Sequence, residues 1–175
     1  IDKQWGLEGI RENGTADSQL QLNRVLNENE QVKQDLQQSI LPTFVKVERQ
    51  LHLGLDWHVE TTVRRLAPLN TPLSLNIPLL ANEQPMSEKL SIKNQHIKIN
   101  LSAQQNEMRW SSRLAHSETI TLEAANTHDY LESWKIAASP IWHVATNDLP
   151  ANQFIQQDGL SIPAWLPWPG EKLTL

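Results

Sequence analysis

The chain has 175 residues, a net charge of −5, 39% hydrophobic residues, 7 tryptophans and no cysteine. That length is enough for one domain burying about 70% of its unfolded surface, and the apolar content excludes general disorder. The missing thiols exclude disulfides, thiolate metal centres, iron–sulfur clusters and a cysteine nucleophile.

Charge is spread unevenly. Residues 1–40 carry four basic and seven acidic groups, residues 41–113 nine and six, and residues 114–175 two and seven. No dominant basic face emerges, so a nucleic-acid partner is not expected. Arg64-Arg65 is the one basic doublet and reads as a solvated strand end. No run approaches the ~18 apolar residues of a membrane helix, and no direct membrane insertion is expected of this segment. The chain begins at Ile1 and ends in the strand-like KLTL, which leads us to expect a fragment of a longer protein.

WGLEGI (5–10) reads as a strand, ENGT (12–15) as a turn, and SQLQLNRVL (18–26) as a second strand with Leu20 and Leu22 alternating. The period then changes. Val32, Leu36 and Ile40 recur every four residues and Pro42 follows, which predicts one short amphipathic helix over 28–40.

VKVERQLHLGLDWHVETTV (45–63) alternates throughout. Every odd position is apolar or threonine except Arg49, and every even position is polar, charged or Gly54. A straight strand of that length would span about 60 Å, far beyond the usual size. The expected resolution is a strand that bends at Gly54 to serve two sheets, or two strands sharing one run.

TPLSLNIPLL (71–80) reads as an edge strand, because Pro72 and Pro78 cannot donate to a ladder. KLSIKNQHIKINLS (89–102) reads as a hairpin turning near Asn94-Gln95. EMRWSSRL (107–114) and ETITLEA (118–124) are further strands. SWKIAAS (133–139) and IWHVAT (141–146) flank Pro140 as one broken strand or two, and SIPAWLPWPGEKLTL (161–175) closes the chain. Together these predict a mainly β fold: a single antiparallel β-sandwich over residues 1–175 with long bent strands and one short helix, and a possible junction to a following domain at 163–175.

VERQLHLGLDWHVETTVRRL, SPIWHV and WLPWPGEKLTL resemble stretches of large, uncharacterised membrane-associated proteins of Gram-negative bacteria that are rich in β structure outside the cytoplasm. The resemblance covers most of the chain. It implies a periplasmic or envelope location, with neighbouring domains of the same chain and other envelope proteins as partners. It carries over no functional residue.

Four features are candidates for a site. Asp56, His58 and Glu60 project from one face of a strand at about 6.5–7 Å spacing, with His52 further along. Such donors can converge on zinc, but an amphipathic strand carries polar residues on its solvated face anyway. The expectation is an exposed face with no metal. His128-Asp129 could serve a serine relay, yet no G-x-S-x-G elbow is present. Trp57, Trp110 and Trp134 follow the apolar faces of their strands and are assigned to the core. Trp165 and Trp168 lie in a proline-rich stretch and are the better candidates for exposure as ligand residues, with packing at a domain junction the leading expectation; residues 171–175 are expected either to add to this domain's sheet or to start the next domain. The helical stripe over 28–40 is expected to cover one end of the core. No cofactor is expected. The leading expectation is a non-catalytic structural or interaction module, with a carbohydrate-binding module second and a metal-dependent hydrolase third.

Overall fold

The computed structural model describes residues 5–10, 16–24, 43–87, 90–157 and 159–175. The helix expected over 28–40 lies outside the described residues. Contacts divide the chain into two compact units, Ile1–Ile40 and Leu41–Leu175. In the first, β1 (Trp5–Ile10) and β2 (Ala16–Arg24) pair antiparallel, with a register shift between Glu8 and Ile10.

The second unit is mainly β and contains the alternating run. Of the two expected resolutions the second holds: the run is two strands, not one bent strand. It is a hairpin of β3 (Phe44–Leu53) and β4 (Trp57–Ala67), turning at Gly54, Leu55 and Asp56. Leu53 faces Trp57, His52 faces His58 and Val47 faces Val63. A three-residue turn pairs odd positions with odd positions, so both arms bury the same parity and the pattern runs through the turn unbroken. Both arms stay in one sheet rather than serving two.

Ten further strands follow: β5 (Leu73–Pro78), β6 (Glu83–Pro85), β7 (Ser91–Lys93), β8 (His96–Leu101), β9 (Glu107–Leu114), β10 (Thr121–Glu123), β11 (Leu131–Ala138), β12 (Gln153–Gln157), β13 (Leu160–Trp165) and β14 (Lys172–Thr174). The largest sheet has the order β12-β13-β11-β3-β4-β9-β6. Its ladders are antiparallel except β11 against β3, which is parallel, so the expectation of a wholly antiparallel fold needs that correction. β5-β8-β7 form a second sheet and β10-β14 a third. β5 lies at an edge, as its prolines require. β7 and β8 turn at Asn94 and Gln95, both with positive φ (50° and 60°), as a tight two-residue hairpin loop demands. IWHVAT is not a strand; Ile141 and Trp142 sit in irregular backbone after β11.

Two apolar clusters cover the inner face of the large sheet. One joins Val45, Val47, Val63 and Trp110 to Leu75, Ile77, Ile97, Ile99 and Leu101 of the second sheet. The other joins Leu51, Leu53, Trp57, Val59 and Trp134 to Leu122 and Leu173 of the third. Each fully buried aliphatic side chain contributes about 1.5–3 kcal/mol.

Between the clusters, at the position where an apolar residue would continue the seam, stands Arg49. It is 2% exposed and faces Thr61 across the ladder. Its guanidinium donates to the Pro78 carbonyl at 2.6 Å and to Glu83 Oε2 at 3.5 Å, and its Nε lies 3.6 Å from Glu132 Oε2. Both carboxylates are themselves anchored. Glu83 Oε2 accepts from the Leu80 amide at 2.7 Å, while Glu132 accepts from the Ala125 amide and from Trp134 Nε1, each at 3.0 Å. Burial and the neighbouring Glu132 push the Tyr130 phenol upward, so it stays protonated beside the cluster.

The Arg64-Arg65 doublet splits. Arg64 is exposed and pairs with Glu107 at 2.9 Å. Arg65, expected at a solvated strand end, is instead 2% exposed. It donates to the carbonyls of Thr71, Ser102 (2.7 Å) and Gln105 (2.6 Å), holding two loops against the end of the hairpin.

Removing a cation from a buried charge cluster strands its partners, at a cost of about 3–5 kcal/mol. An exposed pair contributes about 0–1 kcal/mol. Arg49→Met is therefore expected to lose about 3–5 kcal/mol in urea unfolding, and Arg64→Met less than about 1 kcal/mol. Equal losses for the two would contradict the structural role of Arg49.

Candidate functional site

The hairpin rearranges the first candidate. Asp56 falls in the exposed turn and leaves the group. Register replaces it with His52, which stands directly across from His58. The two imidazoles stack with centroids 4.5 Å apart and planes 4° from parallel. Glu60 alternates with His58 on β4 and shares its face, its Oε2 lying 3.9 Å from His52 Nε2. Potential ligand atoms of His52, His58 and Glu60 all lie within 4.8 Å of one another.

Exposure within the group is graded rather than uniform. The Glu60 side chain is 48% exposed and that of His52 27%, while His52 Nε2 itself is buried and has no hydrogen-bond partner. Burial, then the neighbouring His58, lower the His52 pKa from its ordinary 6.5, and Glu60 opposes them. These effects favour the neutral form of His52. Across the ladders the neighbours are Ala137 beside His52 and Arg113 beside His58. The face was therefore only partly legible: the residue types were read correctly, but the partner of His58 was set by the turn.

A second group went unforeseen. Trp57, His116 and Trp142 form an aromatic cluster near the hairpin turn, with Trp57 4.7 Å from His116 and 5.4 Å from Trp142. Trp142 Nε1 donates to the Gly54 carbonyl at 2.7 Å, which clamps the turn. Beside it opens a pocket of about 400 Å³, lined by Leu53, Ile120, His143, Val144 and Leu175 as well as the two indoles. Trp57 and Trp142 meet at 76°, so they present no common flat platform to a sugar ring. No periodicity could have joined residues from a turn, a loop and a strand start.

The other candidates separate. His128 and Asp129 lie in an exposed stretch before β11, and neither bonds a serine hydroxyl among the described residues. Trp57, Trp110 and Trp134 are buried as expected. Trp165 is not exposed: it is 1% accessible, packs in the core and donates to the Leu149 carbonyl at 3.0 Å. The alternation of β13 carries it inward, since Ile162 and Ala164 are also buried. Trp168 is 76% exposed. The following segment pairs as β14 with β10, so residues 172–174 add to this unit's own sheets.

The chain matches no known protein family, and no curated protein or solved structure matches it either.

Two outcomes are expected. Trp165→Ala should cost about 3–5 kcal/mol and Trp168→Ala within about 0.5 kcal/mol of nothing, measured by chemical unfolding. For His52, a folded pKa below the ordinary 6.5 means that the unfolded chain takes up the proton first. Its contribution to stability is full above that pH and is lost as pH falls toward the folded value. With chelator present, the stability advantage of wild type over His52→Gln should shrink as pH drops through that window. An advantage that grows toward acid pH would reverse the assigned sign.

Proposed function

We propose that the chain is a non-catalytic structural or interaction module, a β-sandwich of a larger bacterial envelope protein, and that β12 is where a partner strand adds. The observation that carries this reading is the composition of the sheet edges. An open edge offers unpaired backbone groups, and proteins normally blunt it with charge, proline or brevity. In the two larger sheets, β6 is three residues long and contains Pro85, β5 contains Pro78 and β7 contains Lys93. β12 is Gln-Phe-Ile-Gln-Gln, with no charge and no proline, and Phe154 is 65% exposed.

Such an edge suits addition of an extended segment, in which backbone bonds supply affinity and alternate side chains supply selectivity. The sandwich reading is supported by the two apolar clusters, each drawing residues from two sheets. The non-catalytic reading is supported by the use of the buried charges: Arg49, Arg65, Glu83 and Glu132 are all engaged in holding strands and loops. The envelope assignment rests on the resemblance of the quoted motifs.

A photo-crosslinking residue in place of Phe154, in the full-length protein in its native cells, tests this. One discrete polypeptide adduct in the membrane-associated fraction is expected, absent when the same residue replaces exposed Glu123. No adduct above the Glu123 control, or an adduct found only among cytosolic proteins, would contradict it.

A further inference from the structure

We propose that His52, His58 and Glu60 form a binding site for a divalent transition-metal ion of the zinc class. This goes beyond the interaction reading and does not depend on it. The three residues come from two adjacent strands: His58 and Glu60 are alternate residues of β4, and His52 is the register partner of His58 on β3. The ladder therefore presets the site, and no loop has to close over it. Two imidazoles and one carboxylate make a donor set that zinc accepts, with the remaining position left to water or another donor.

The distances fit with a small adjustment. Bonds of about 2.0–2.1 Å place tetrahedral donors about 3.4 Å apart. His52 Nε2 and Glu60 Oε2 stand 3.9 Å apart, and no pair in the group exceeds 4.8 Å. The required approach is about 1.4 Å at most, reached by rotation of the half-exposed glutamate together with rotation of the two stacked rings.

A second observation points to a ligand. His52 Nε2 is buried and has no hydrogen-bond partner. An unpaired buried polar atom costs about 1–3 kcal/mol, and a coordinated ion would satisfy it. The rings stack face to face, so their in-plane lone pairs run parallel, and binding one ion requires both rings to rotate out of the stack. Arg113, beside His58 on β9, is the cation that opposes an ion here; it is exposed, so water and salt screen it.

The test is calorimetric titration of the chelator-treated, full 175-residue chain with zinc and with nickel, plus the visible spectrum with cobalt(II). One ion per chain is expected, with micromolar or tighter affinity, and cobalt should give the intense bands of a four- or five-coordinate site. His52→Ala and His58→Ala should each weaken binding by about tenfold or more, and Glu60→Gln should weaken it to a smaller degree. His143→Ala should leave it unchanged. His52→Gln serves should the alanine variants unfold, and the cobalt spectrum of the unaltered chain needs no variant at all. Absence of saturable binding, or binding that survives both histidine substitutions, would overturn the assignment.

Discussion

A guanidinium buried between two hydrophobic clusters is the constraint on which this fold turns. Arg49 reaches the Pro78 carbonyl, Glu83 and Glu132, and so ties β3 to β5, β6 and β11. Those elements belong to two sheets. A charge at position 49 restricts which strand ends meet, because a desolvated guanidinium needs acceptors and counter-charges: Nη1 and Nη2 donate to Glu83 and Pro78, while Nε makes no hydrogen bond and only an ion-pair contact with Glu132. The carboxylates extend that demand outward, since Glu132 also holds the Ala125 amide and the Trp134 indole. Arg65 repeats the device at the far end of β4, with carbonyls in place of carboxylates.

The hairpin carrying Arg49 also builds the polar outer face. Odd positions of β3 and β4 enter the core, so even positions must meet across the ladder on the other side. That pairing brings His52 to His58, puts Glu60 beside them and sends Asp56 into the turn. Inner seam and outer donor group are two consequences of one register. At the turn itself, Trp142 holds the Gly54 carbonyl, so the closing loop is fastened to the segment that follows β11.

Much of this was written in the alternation. Strand positions, the Asn94-Gln95 turn, the edge character of β5 and the burial of Trp57, Trp110 and Trp134 all follow from period-two patterning and from proline and turn chemistry. The hairpin was harder to see. A turn of two residues would shift the alternation by one and announce itself, whereas a turn of three preserves it, so the alternation alone left one bent strand and two strands sharing the run as alternatives. Arg49 was visible as an exception, but its partners Glu83 and Glu132 lie 34 and 83 positions away, and nothing local links them. The prolines around Trp165 suggested a loop at a junction, whereas the pairing of β13 with β11 and β12 carries it into this unit's own core. The parallel pairing of β11 with β3 leaves no local signature at all.

The central claim is that Arg49 makes the two clusters one cooperative structure. Native-state hydrogen exchange in mild denaturant tests it most directly. Amides of Val47 and Val63 report one cluster, and those of Leu51 and Val59 the other. The account predicts that all four converge on a single opening free energy, the global one, as the denaturant rises. Two separate isotherms, with one cluster opening while the other stays protected, would contradict it.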